Sequence, residues 1–235
     1  MNLPEISIAG EKVFEVFGIS ITNTFILSLV ISVGVFVFAF LSLRAQKMIP
    51  KKLQNFWEFL LESLFKFFNS ITGSEAKTKE IFPLACTLFL LIIFCNLIEL
   101  IPGLGIFKFL RAPSSDLNFT FALALLSVAS VNLLAVKNLG MLNYLKKFVS
   151  KNPVMLFAGT LEGVGEFTRI ISLAFRLFGN LFAGEILLIV ISYLFSYILP
   201  LPFLGLEILV GFIQAFIFPT LIVIFYTIAI QKSHG

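Results

Sequence analysis

Six ionisable side chains stand inside two long apolar runs near the C-terminus. Glu162, Glu166, Arg169, Arg176 and Glu185 lie in the first and Glu207 in the second, with Asn180 and Gln214 among them. A charge at the centre of a bilayer costs at least about 2.5–3.5 kcal/mol on the insertion scale. Such residues must therefore face protein or water. Carboxylates in low-dielectric surroundings hold protons more tightly and can relay them, whereas an Arg guanidinium never gives its proton up. Together they read as a proton path with a fixed positive charge set across it.

Helical spacing sorts these groups. Glu162, Arg169 and Arg176 are each seven residues apart and share one face, drifting only about 20° per step. Glu166 and Arg169 are i,i+3 neighbours, so a buried ion pair that fixes helix packing is the preferred reading for them. Arg176 has Ser172, Leu173, Gly179 and Asn180 at its i±3 and i±4 positions, so its counter-charge must come from elsewhere. Gly179 and Gly184 thin the helix and admit a close neighbour. Glu185 lies about 180° around the helix from Arg176. Glu207 and Gln214 share a face of the following run. A short antiparallel hairpin puts Gln214 at the level of Arg176 and Glu207 at the level of Glu185.

The elements that must carry these residues follow from composition. The chain has 235 residues, of which 59% are hydrophobic and 13% charged, with a mean hydropathy of +1.03. Soluble domains are about 45–50% apolar and about 25% charged. A soluble globule and a disordered chain are both excluded, and one all-α membrane domain over 1–235 is expected, with about five transmembrane helices plus one interfacial amphipathic helix. Residues 1–18 form an outer N-terminal segment, too acidic for a signal peptide. Span 1 covers 19–43, span 2 covers 81–101 and span 3 covers 119–136. A run over 153–199, about twice the bilayer's apolar thickness, must break or tilt steeply. Pro200 and Pro202 end it, and the last helix covers 204–231. Between spans 1 and 2, residues 52–72 alternate an apolar stripe (Phe56, Leu60, Leu64, Phe67, Ile71) with a polar arc holding the i,i+4 pair Glu62 and Lys66, and Gly73 ends the helix.

The net charge of +4 and pI of about 9.1 reflect basic loops rather than a nucleic-acid surface. Twelve Lys and Arg fall in segments 44–80, 137–151 and the C-terminus, against three on the other side. This sets the N-terminus outside, the C-terminus in the cytoplasm, and an odd number of crossings. Cys86 and Cys95 lack metal or redox spacing and read as small buried hydrophobes, and His234 as a tail residue. No metal or cofactor is expected, and there is no P-loop for nucleotide chemistry. Asn96, Glu99 and Asn132 lie in or near spans 2 and 3. Glu99, beside Pro102, sits at an outer mouth or a plain interface. Asp116 and Asn118 line an outer entrance or cap the third span, with capping preferred.

The stretch Ser172-Leu-Ala-Phe-Arg176-Leu-Phe-Gly-Asn180-Leu-Phe-Ala-Gly-Glu185 resembles the signature of subunit a of the F-type ATP synthase. Gly211-Phe-Ile-Gln214-Ala-Phe-Ile-Phe looks like a second block of that family. Asn96-Leu-Ile-Glu99-Leu-Ile-Pro102 and Pro113-Ser-Ser-Asp116-Leu-Asn118 are similar to two earlier ones. The resemblance runs from about residue 20 to the end. It implies the stator half of a rotary motor in a bacterial plasma membrane or an organelle inner membrane. Its partners would be the c-ring, peripheral stalk subunit b, the other synthase subunits and membrane lipid, with no enzymatic activity of its own. By the same resemblance Arg176 matches the essential arginine, and Gln214 and Asn180 its polar companions. Glu185 and Glu207 match the outer half-channel, Glu162 the cytoplasmic one, and Arg169 a basic residue one heptad earlier. Two carboxylates at 185 and 207 depart from the family's usual pairing, in which many relatives carry His at the second position. The long tilted last helices are also a family feature. Two other classes compete: a secondary ion transporter, disfavoured by the absence of paired repeats, and a structural membrane scaffold in which the buried charges only lock packing.

Overall fold

The computed structural model describes residues 12–16, 19–44, 52–98, 112–146, 153–194 and 199–231. Apolar residues leave no way to satisfy backbone groups in lipid except internally, so the long runs fold as helices. These are α1 (Asn23–Arg44), α2 (Lys52–Thr72), α3 (Glu75–Ile98), α4 (Leu117–Leu139), the short α5 (Met141–Lys146), α6 (Pro153–Leu194) and α7 (Pro200–Gln231). Four of them, over residues 75–98, 117–139, 159–194 and 200–230, are long and apolar enough to cross a membrane. α1 adds a further apolar helix of 22 residues. The protein is an all-α membrane protein with one small N-terminal exception.

That exception corrects the start of span 1. Residues 19–22 are not helical. They form β2 (Ile19–Thr22), paired antiparallel with β1 (Lys12–Val16). Ile19, Ile21 and Thr22 are β-branched and suit a pleated strand. Thr22 then caps α1, its Oγ1 accepting the Phe25 N–H at 3.3 Å. α3 starts six residues before the expected 81, and Pro83 sits inside it. α6 is one unbroken helix of 42 residues, about 63 Å at 1.5 Å per residue. Pro200 does more than end the preceding run. It is the first residue of α7, where a missing N–H is harmless.

α3 and α7 form the centre of the bundle, with α4 and α6 on one side and α2 across the other. Phe68, Ile81, Ala85, Ala174, Leu177 and Ile222 are wholly buried where these helices meet. α2 packs on the bundle through Leu64 and Phe68, and Phe67 meets Phe216 of α7 at 4.5 Å between ring centroids. Its buried stripe is rotated from the expected one: Trp57 is buried and Phe56 is exposed. Gly73, at φ 65°, closes α2 in the left-handed region, and the Glu62–Lys66 pair forms at 2.8 Å. Cys86 and Cys95 are buried free thiols.

Candidate functional site

The α6–α7 hairpin builds the site, and glycine sets how closely the two helices approach. A Cβ on Gly184 would stand 2.6 Å from Glu207 Oε1. The bare backbone at 184 therefore makes room for the Glu207 carboxylate. Glu207 is 6% exposed, and neither carboxylate oxygen accepts a hydrogen bond from the described residues. Glu185, half-buried on the next residue of α6, is near enough to interact electrostatically with it.

Two turns further along α7, buried Gln214 donates from Nε2 to the Arg176 carbonyl at 2.8 Å. That bond holds the backbone of α6 and leaves the guanidinium to project elsewhere. The Arg176 side chain is exposed on the open face of α6, beside exposed Phe175 and Asn180. Among the described residues no carboxylate lies within ion-pair distance of it. The levels of the two helices thus match the hairpin arithmetic.

From Arg176 a groove of about 400 Å³ runs toward the N-terminal end of α6. Ser172, Arg169, Thr168 and Leu161 of α6 and Leu221 and Phe225 of α7 are among its walls. Here the structure overturns the expected Glu166–Arg169 ion pair. The Arg169 guanidinium stacks over the Phe225 ring, 4.7 Å from its centroid. Glu166 turns to other helices, accepting from Asn132 Nδ2 at 3.0 Å and, more loosely, from Tyr144 OH at 3.5 Å. Three residues advance a helix by 300°, leaving the two side chains about 60° apart. α4 and α5 reach one of them and α7 the other. Glu162 is half-buried one turn nearer the N-terminal end of α6. Burial, followed by the charges of Glu166 and Glu162, pushes the Tyr144 hydroxyl up to about 12, so it stays a protonated donor.

The C-terminal end of α3 and the N-terminal end of α4 are joined separately. Asn96 donates from Nδ2 to the Gly211 carbonyl at 2.9 Å and accepts from Ser114 Oγ at 2.8 Å. Asp116, 2% exposed, caps α4 by accepting the Asn118 N–H at 2.9 Å, and its other oxygen accepts from Thr24 Oγ1 at 2.5 Å. The Asn118 side chain is exposed. Glu99 lies outside the described residues, as do the basic residues beyond helix ends, Lys47, Lys51, Lys108, Arg111 and Lys151.

One polar cluster was not foreseen from the sequence. Glu80 Oε2 accepts from Tyr226 OH and from Asn138 Nδ2, each at 2.6 Å, and Lys137 Nζ lies 3.4 Å from Oε1. Placing Glu80 ahead of span 2 hid it. Extending the helix one turn toward the N-terminus would have put it at the level of the α4 and α7 ends.

Residues 23–227 match the family described as ATP synthase A chain. The chain is 35% identical over 193 residues to an ATP synthase subunit a from Syntrophobacter fumaroxidans, covering 80% of this chain and 76% of the relative. It is 31% identical over 215 residues to one from Moorella thermoacetica, covering 92% and 91%. An ATP synthase subunit a 1 from Syntrophotalea carbinolica is 36% identical over 221 residues, covering 93% and 88%.

Proposed function

The chain belongs to the ATP synthase A chain family, and we propose that it is the stator that couples proton flow to rotation of a neighbouring ring of helices. As a member of that family it is a multi-pass membrane component of an ATP synthase. The finer reading assigns the outer half-channel to Glu207 and Glu185 and the stator charge to Arg176. It assigns the inner half-channel to the groove that runs past Ser172 and Arg169 toward Glu162. Glu166, Asn180 and Gln214 support that path, and Glu99, Asp116 and Asn118 belong to its outer mouth. The c-ring faces Arg176, stalk subunit b and lipid cover other surfaces, and the membrane is a bacterial plasma membrane with the N-terminus outside.

The observation that carries this reading is the placement of Arg176. Its backbone is fixed by buried Gln214 while its guanidinium is exposed on an open apolar face. An unpaired cation there calls for a carboxylate from another chain. The mechanism follows from charge. A proton from outside passes by Glu207 and Glu185 to a ring carboxylate, which can face lipid once neutral. After nearly a full turn it comes to the groove, where Arg176 favours the ionised carboxylate and the proton leaves inward. Because Arg176 stays charged, a free proton does not cross directly between the half-channels. The membrane potential supplies about 2.3 kcal/mol per charge per 100 mV.

ATP-driven proton pumping in membrane vesicles carrying Arg176→Ala tests this, with assembly checked by co-purification of ring and head. An assembled complex that does not pump is the expected result. Surviving pumping would remove Arg176 and both half-channel assignments.

A further inference from the structure

Glu80, Asn138 and Tyr226 stand outside the path just described, yet they join three helices at one point. Tyr226 is wholly buried on α7, and its hydroxyl donates to Glu80 Oε2 at 2.6 Å. Asn138 of α4 donates to the same oxygen at 2.6 Å and to the Tyr226 hydroxyl at 3.2 Å. Hydrogen bonds to a charged acceptor are shorter and stronger than neutral ones, so this is a firm anchor for one side chain of α7.

The position of the anchor along α7 gives it a consequence. Pro219 lies inside the helix, seven residues before Tyr226. A proline there removes one backbone hydrogen bond and loosens the turn. The segment beyond it therefore depends on its own contacts for its rotation about the axis. Phe225 precedes Tyr226 and points about 100° away from it. While Tyr226 faces α3 and α4, Phe225 faces α6 and lies 4.7 Å from the Arg169 guanidinium, as part of the groove wall. Among the described residues no carboxylate pairs with Arg169, so this ring is what holds it.

We infer that Glu80 is a positioning residue for Arg169: by pinning Tyr226 it fixes the rotation of the inner end of α7 and so sets the Phe225 ring under the guanidinium. The inference rests on the reading of the groove as the inner half-channel. It makes Glu80, which touches nothing in the groove, a determinant of how protons leave it.

The test uses the whole synthase in inverted vesicles, with pumping normalised to assembled complex. Tyr226→Phe removes only the hydroxyl, and Phe225→Leu only the ring. Each is expected to lower pumping on the order of twofold to tenfold, the range that a lost cation–π contact of about 0.5–1.4 kcal/mol gives. The double variant is expected to be no worse than the stronger single one, because both act on one contact. Glu80→Gln, which keeps an acceptor oxygen, is expected to recover most of the pumping that Glu80→Ala loses. Multiplying losses in the double variant, or wild-type pumping in both single variants, would overturn the inference. So would failed assembly of Tyr226→Phe beside normal pumping in Phe225→Leu. Arg176→Ala, run in parallel, separates the two levels: if it pumps, the half-channel reading falls first, whatever the α7 variants do.

Discussion

Glu80 and Glu207 are both largely shielded carboxylates, and both face α7 or stand on it. Glu80 is surrounded by donors: a tyrosine hydroxyl, an asparagine amide and a lysine ammonium. Glu207 is more deeply buried, yet it accepts nothing from the described residues. Its nearest neighbour in kind is a second carboxylate, Glu185. A buried acidic group with its donors in place holds helices together. One without them is strained by its surroundings. On the proposed reading, such a site suits a proton that must be taken up and released. On that reading the same bundle uses one residue type for two ends, and the donors decide which.

Substitution at the two carboxylates should separate these roles most sharply. Glu207→Gln is expected to leave assembly and thermal stability intact, since no donor loses its partner, while ATP-driven pumping falls more than tenfold. A parallel loss of thermal stability would place Glu207 with Glu80. Glu80→Ala is expected to lose thermal stability along with pumping. It leaves the buried Tyr226 hydroxyl without its acceptor, at about 1–3 kcal/mol for a buried group left unsatisfied. The midpoint of thermal inactivation of the detergent-solubilised complex should drop more than for any other variant named here. Gly184→Ala should come next. The added methyl would sit against the free end of Glu207, which can turn aside, so assembly should hold and pumping should fall by a few-fold. Wild-type pumping there would mean that the orientation of the carboxylate is irrelevant. The smallest effect belongs to the exposed pair on α2. Glu62→Gln removes an ion pair whose partners are both well exposed, and neither pumping nor inactivation temperature should move measurably.

The α6–α7 hairpin was legible in the sequence to an unusual depth. Arg176 lacks an acidic neighbour at helical spacing, and that is a property of the sequence that no folding changes. The pairing of levels, Gln214 with Arg176 and Glu207 with Glu185, followed from a short antiparallel connection. The geometry at Gly184 and the Gln214 bond reproduce it. The α4 cap at Asp116 was equally local. Legibility ended where a residue had a choice of neighbours. Glu166 and Arg169 are adjacent on their own helix, and the expected pair did not form. α4 and α5 offered the carboxylate an amide and a phenol, and α7 offered the cation an aromatic face. Phe56 and Trp57 on α2 differ by one step of rotation, and packing against the bundle selected Trp57.

The sequence by itself determined the class of protein, the runs that become helices, and which charges would lack partners along their own helix. Periodicity and hydropathy are summed along one chain segment and need no knowledge of its neighbours. Only the tertiary structure decided which helix faces which, and therefore the partners of Glu80, Glu166 and Arg169. Those partners lie at least 57, 22 and 56 residues away along the chain. Their meeting depends on the rotation of whole helices, set by the packing of Phe68, Leu177, Ile222 and Tyr226. A side-chain contact of a few ångströms is thus fixed by the close packing of an entire bundle.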